Sequence, residues 1–148
     1  MYIKKITNNK EKYMDILLIG DEDENMINKY LEKSALFVLY DSNVLKSVCA
    51  VMKIDEETVE IKNIATYPLY QNQGYSSAML DFICNEYKTC FKYLILGTGE
   101  NEKTLNFYKK RGFVETHRIK NFFVDNYSHP IFENGNQLID MIFFKKIL

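Results

Sequence analysis

The sequence predicts an α+β domain on a mixed, mostly antiparallel sheet, and three observations carry that prediction. Apolar runs at 36–40, 44–54 and 59–66 are separated by the polar clusters DSN and DEET, of the length that closes hairpins, so they form an antiparallel meander. A strand, a long helix and a second strand (59–66, 74–90, 93–96) then follow in the order that implies a right-handed parallel crossover. The two Pro and six Gly stand singly where elements end, and no repeat or low-complexity tract interrupts the 148 residues, so one domain over 1–148 is expected.

Element by element, a first strand is read at Tyr2 to Ile6. Tyr13, Ile16, Leu17 and Ile27, Tyr30, Leu31 recur at three and four, marking two helices around the acidic turn Asp21 to Glu24. In the run 59–66, Val59 and Ile61 keep period two but the next large apolar residue is Ile64, and a β-bulge at Lys62 and Asn63 explains the slip. From Gly74 to Cys90, Met79, Ile83 and Tyr87 lie four apart with Leu80 and Cys84 beside them, an amphipathic helix. YLIL (93–96) reads as a buried strand. A shorter helix spans Glu102 to Arg111 with Gly112 as its C-cap, and strands near 113–119 and 137–146 close the sheet across a long aromatic and acidic loop.

Composition narrows the function. A hydrophobic share of 47%, with 11 Tyr and 10 Phe, excludes disorder, and no apolar run approaches the length of a membrane span. The amino terminus lacks a signal-peptide pattern, so the expected compartment is the cytoplasm. Cys49, Cys84 and Cys90 have neither disulfide nor zinc-site spacing, so no metal is expected. A net charge of −1 with scattered Lys and Arg lacks the footprint of a nucleic-acid binder.

Two segments can carry chemistry. Gln71-Asn72-Gln73-Gly74-Tyr75-Ser76 lies between a strand and a helix start, where unpaired N–H groups attract anions and a glycine lets phosphate approach; the alternative is an ordinary loop glycine. Asn101 precedes a helix and Tyr108 follows seven residues later, ahead of Gly112-Phe113. An N-cap and a core aromatic are the plainer readings of that pair.

Together these segments resemble the GNAT superfamily of acetyl-CoA-dependent N-acetyltransferases, bacterial type. The family pattern Arg/Gln-x-x-Gly-x-Gly/Ala is matched by QNQGYS after IATYPLY, and NEKTLNFYKKRGF resembles the family's segment with an Asn, an acid Tyr and a Gly-Phe. The likeness follows the element order through most of the chain. It implies a GNAT-like sheet of about six or seven strands flanked by about four helices, with the parallel crossover running from the fourth strand through the third helix to the fifth strand. Two departures stand out: Gln71 and Gln73 occupy positions where Arg or Lys is common, and Ser76 replaces a smaller residue.

The resemblance further implies that residues 71–76 hold the pyrophosphate of acetyl-CoA and that the backbone of Ile64, Ala65 and Thr66 pairs with the pantetheine arm. Asn101 contacts the cofactor as well, and a bulge N–H points at the thioester oxygen. Tyr108 contacts the cofactor and protonates the leaving thiolate, while Glu60 acts as base through water, against the plain alternative of an exposed strand Glu. The acceptor is then a primary amine of a small molecule or peptide, and the chain works as a monomer or homodimer. Asp21 to Glu24, Asp125, Tyr127, Glu133 and Asp140 either surround a cationic amine or form solvated charge; His117 and His129 have no assigned role. Two other classes remain in view, a non-catalytic acyl-CoA sensor and, from ILGTGEN (95–101), an S-adenosylmethionine methyltransferase. A P-loop is excluded because its Gly-Lys-Ser/Thr ending is missing.

Overall fold

Runs rich in β-branched, aliphatic and aromatic residues build four antiparallel strands in the first part of the chain: β1 (Tyr2–Ile6), β2 (Ala35–Asp41), β3 (Val44–Lys53) and β4 (Thr58–Thr66). The β2–β3 connection is a hairpin, as expected, and its turn is the two residues Ser42 and Asn43, both at positive φ, 54° and 62°. Between β3 and β4, Ala50 faces Asn63 and Val51 faces Ile61, so Lys62 is the extra residue of a bulge where the apolar pattern slipped. Burial nevertheless keeps alternating, because Asn63 takes the inward position that a Val or Ile would fill.

These strands belong to one of two compact units described by the computed structural model of residues 1–148: Met1–Lys92 with Leu148, and Tyr93–Ile147. In the first unit, α1 (Met14–Gly20), entered through a 3₁₀ turn at Lys10–Tyr13, and α2 (Glu24–Asn28) bury Ile16, Leu17 and Ile27 against Leu36, Val38, Val48, Ala50 and Ala65. Each fully buried aliphatic side chain contributes about 1.5–3 kcal/mol. Asp23 starts α2 by accepting from the N–H groups of Asn25 (2.8 Å) and Met26 (3.2 Å). Phe37, which alternates with Leu36 and Val38, meets Phe82 and Tyr87 of α3 (Tyr75–Tyr87) at ring distances of 5.6 and 6.2 Å. One sheet face is thus covered by α1 and α2, the other by α3.

The second unit holds β5 (Tyr93–Gly99), α4 (Glu102–Lys110), β6 (Val114–Ile119), α5 (Phe122–Asn126), the small hairpin β7 (Phe132–Glu133) and β8 (Asn136–Gln137), and β9 (Met141–Ile147). β9 lies between β5 and β6 and is antiparallel to both. Gly112 closes α4 as expected: at φ +89° it lets the Phe113 N–H reach the Tyr108 carbonyl at 3.2 Å and its own N–H reach the Lys109 carbonyl. Seven longer strands and five α-helices make the α+β class that was expected, with β4, α3 and β5 in the crossover order.

Three details differ from the sequence reading. The last strand starts at Met141 rather than 137, because Asn136 and Gln137 pair with Glu133 and Phe132, and Leu138 turns into a small core with Phe123 and Ile131. The loop before it contains α5, which is too short to leave a helical period. Gly97 and Gly99 of ILGTGEN are strand residues: a Cβ at Gly97 would run into Met141 and Phe143, and one at Gly99 into Leu138. Close packing, not a nucleotide-binding turn, accounts for both glycines, and the methyltransferase reading loses its motif.

Candidate active site

In the first unit the 68–76 segment is built by its own polar side chains. After a 3₁₀ turn at Pro68–Tyr70, Asn72 takes φ +62° and Gly74 φ +88°, which swings the chain into the start of α3. Nothing lies within 4 Å of where a Gly74 Cβ would stand, so the glycine is required by backbone conformation and leaves open space over the helix start. The two glutamines that replace the expected cations brace this loop. Gln71 Nε2 donates to the Thr66 carbonyl (3.1 Å) and Gln73 Nε2 to the Leu69 carbonyl (3.3 Å).

A hydroxyl chain fastens the helix start to the sheet. Ser47 Oγ donates to the Ala65 carbonyl (2.8 Å) and Thr66 Oγ1 donates to Ser47 Oγ (3.2 Å). Because a hydroxyl has one proton, the 2.9 Å contact between Thr66 Oγ1 and Ser76 Oγ is donated by Ser76. Ser76, at the sixth motif position where a smaller residue is commoner, is therefore part of the turn's scaffold. The Tyr75 hydroxyl donates to Asp41 Oδ2 at 2.8 Å; this bond, with smaller contributions from the amino terminus and Lys46, holds the Asp41 carboxyl below its usual value. Lys46, not singled out from sequence, places Nζ 3.5 Å over the Tyr70 ring and 5.7 Å from the Tyr75 ring, bringing a cation beside a motif that lacks its own.

The bulge carries a second cluster. Glu60 is not a solvated strand residue, since its side chain is 12% exposed and lies 3.3 Å from Lys62 Nζ. Lys62 Nζ also stands 5.7 Å from the centre of the Tyr30 ring. Asn63 Nδ2 donates to the Leu17 carbonyl (2.9 Å) and to the Tyr30 hydroxyl (3.1 Å), and that hydroxyl donates to Asp21 Oδ2 (3.3 Å). Burial, followed by the nearby Asp21 charge, raises the Tyr30 pKa and keeps the phenol neutral. Asn63 Oδ1 is buried without a hydrogen-bond partner. The Glu60–Lys62 contact was open to sequence reasoning, because residues two apart on a strand share a face.

In the second unit Asn101 Oδ1 caps α4, accepting from the N–H groups of Lys103 (3.0 Å) and Thr104 (3.4 Å). What its side chain can still offer a ligand is the amide donor Nδ2. Tyr108 is 6% exposed, its ring packed among Phe107, Phe113 and Phe144 at 5.2–5.8 Å. Several acids read as a candidate cation-binding ring have internal work instead. Asp140 accepts from Arg118 Nη1 (2.8 Å) and the Asn121 N–H (2.9 Å), Glu133 from the Thr104 hydroxyl (3.1 Å), and Arg118 also pairs with Glu100 (2.8 Å). His117 stacks on Phe143. No group of three or more His, Cys, Asp or Glu residues could hold a metal, and no helix is long and apolar enough to cross a membrane.

Residues 32–115 match the family model described as an acetyltransferase (GNAT) domain. The uncharacterized N-acetyltransferase YvbK of Bacillus subtilis (strain 168) is 33% identical over 136 residues, covering 90% of this chain and 87% of its own. A GNAT family acetyltransferase from Elizabethkingia anophelis, crystallised with acetyl-CoA bound, superposes with a TM-score of 0.94 at 36% identity, over 99% of this chain and 97% of that one. A Bacillus subtilis acetyltransferase in complex with CoA gives a TM-score of 0.88 at 30% identity, over the same shares of both chains.

Proposed function

Because the chain belongs to the GNAT acetyltransferase family, we propose that it moves the acetyl group of acetyl-CoA onto a primary amine of a small molecule or peptide by direct attack on the thioester. The observation that carries this reading is the left-handed Gly74 turn opening α3, a thirteen-residue helix whose N-cap glycine supplies no side-chain cap and has nothing within 4 Å of where a Cβ would stand. Such a helix start suits a pyrophosphate, and the relatives crystallised with acetyl-CoA and CoA support that ligand.

In this reading the N–H groups of Gly74, Tyr75 and Ser76 bind the pyrophosphate, with Gln71, Asn72 and Gln73 shaping the loop and Lys46 adding positive charge. The backbone of Ile64, Ala65 and Thr66 lies along the pantetheine, and the Asn101 amide donates to the cofactor. The amine nitrogen forms a bond to the thioester carbon, the C–S bond breaks, and the thiolate leaves. Glu60, through water, takes the proton lost by the amine. Tyr108 gives one to the sulfur as a positioned acid. Cys49, Cys84 and Cys90 are not joined in disulfides, as suits work in the reducing cytoplasm.

Calorimetry with acetyl-CoA, followed by thiol release against polyamines, aminoglycosides, amino acids and peptides, tests the proposal. Gly74→Asp should abolish binding by adding a side chain and a negative charge at the helix start. Retained affinity in that variant would move the pyrophosphate elsewhere, and binding without thiol release on any amine would favour a sensor.

A further inference from the structure

The bulged part of β4 carries a charge arrangement that bears on which amine is accepted. Glu60 and Lys62 share a strand face, 3.3 Å apart, with side-chain exposures of only 12% and 27%. The ring beside Lys62 belongs to Tyr30, which cannot swing away. Its hydroxyl accepts from Asn63 and donates to Asp21, and the residue is 7% exposed. The protein's own ammonium therefore sits beside the carboxylate proposed as base and near an aromatic ring, as an acceptor ammonium would. Asp21 is already engaged by Tyr30, so Glu60 is the carboxylate that Lys62 would have to share.

An acceptor with only positive charge meets an obstacle here. To reach Glu60 it must displace Lys62, and a largely desolvated ammonium left without its counter-ion is costly. An acceptor carrying an anionic group next to its amine removes the obstacle: its ammonium replaces Lys62 at Glu60 while its carboxylate takes up Lys62. One internal ion pair becomes two pairs with no charge stranded. We infer that this enzyme's acceptor is an amino acid or a similar small amino-carboxylate, with Lys62 as the residue that selects for the carboxylate and Tyr30 as a wall of the site. The inference rests on the acetyl-transfer reading with Glu60 as base. The chemistry uses the same groups: acetyl passes from sulfur to nitrogen, the acceptor ammonium gives one proton to Glu60 before attack and a second after it, which offsets the proton that Tyr108 gives to the sulfur, and the sulfur leaves as a thiol.

The test uses matched acceptors differing only in the carboxylate: ornithine against putrescine, lysine against cadaverine, tyrosine against tyramine. For the wild type, kcat/KM should favour at least one amino acid over its decarboxylated partner by about tenfold or more, as loss of a desolvated charge pair requires. In Lys62→Gln that ratio should fall toward one, through a higher KM for the amino acid, while Lys62→Arg retains it. Calorimetric acetyl-CoA binding, measured on each variant, keeps the cofactor half under separate watch. Equal or better turnover of the plain amines, or a ratio that Lys62→Gln leaves unchanged, overturns the inference. So does acetyl-CoA binding with no amino acid turned over, although the acetyl-transfer reading then survives. Failure to bind acetyl-CoA sinks that parent reading instead.

Discussion

Gly20→Ala is a sensitive probe of how α1 is seated on the bulge. Gly20 is the last residue of α1, and its φ is not positive, so alanine suits the backbone. Helix propensity alone would make the change favourable by up to about 1 kcal/mol, less at a helix end. The new Cβ, however, would fall inside van der Waals contact with Asn63 Oδ1 and 3.1 Å from the Ile64 carbonyl oxygen. Asn63 has little room to retreat, because its Nδ2 holds the Leu17 carbonyl and the Tyr30 hydroxyl. Overpacking of this kind costs about 1–3 kcal/mol, so a net loss of about 1–2 kcal/mol is expected. At about 2–4 °C per kcal/mol for a chain of roughly this size, the melting temperature should drop several degrees. Asn63→Ala should cost about 1 kcal/mol or somewhat more, since the Leu17 carbonyl keeps the Asp21 N–H at 3.0 Å and the unpartnered Oδ1 is removed. In the double variant the clash is gone, so the two effects should fall short of their sum by about 1 kcal/mol or more. Denaturant unfolding of the four proteins measures that difference. Additivity within about 0.5 kcal/mol, or a Gly20→Ala protein as stable as the wild type, would refute the packing argument.

Other expectations concern the candidate site. Asn101→Ala should lose about 1 kcal/mol of stability with the α4 cap, whereas Asn101→Asp should keep the cap and the melting temperature but weaken acetyl-CoA binding by losing the amide donor; calorimetry beside thermal melts separates the two roles. Tyr108→Phe keeps the packed ring and should lower kcat by about 10²- to 10⁴-fold with acetyl-CoA affinity nearly intact, and unchanged turnover in the thiol-release assay would remove it from the mechanism. The Asp41 carboxyl is held low first by the Tyr75 hydroxyl, so its stabilising contribution is present above the unfolded value of about 4 and is lost as pH falls through the lower folded value. Melting temperatures should therefore fall less steeply below about pH 4 in Asp41→Asn than in the wild type, and parallel curves would show that the pair contributes nothing there.

Signals confined to one element were legible in the sequence. The slip from Ile61 to Ile64 marked the bulge, DSN marked a hairpin, and Asn101 and Gly112 bracketed α4, because each rests on backbone rules acting over a few residues. What stayed hidden depended on contacts between elements. Asn63 looked like a break in an apolar pattern, and only the Leu17 carbonyl of α1 and the Tyr30 hydroxyl explain why a polar side chain is tolerated inside. Asp140, Glu133 and Asp21 looked available as acids until Arg118, Thr104 and Tyr30 were placed beside them.

The glutamines show how a motif departure can mislead. Read alone, Gln71 and Gln73 are lost phosphate-binding cations. An amide, however, supplies a donor without a full charge's desolvation cost, and here those donors hold the Thr66 and Leu69 carbonyls that shape the approach to Gly74. With Ser76, Thr66 and Ser47 wired into one hydroxyl chain, the loop is held by short bonds within itself and to the neighbouring strands. A loop built in this way depends on the placement of its N–H groups more than on side-chain charge, and the cation beside it, Lys46, comes from β3 and not from the motif. Its weakest point should accordingly be the geometry at Gly74, where φ +88° penalises any side chain, and not the identity of the residues at the first and third positions.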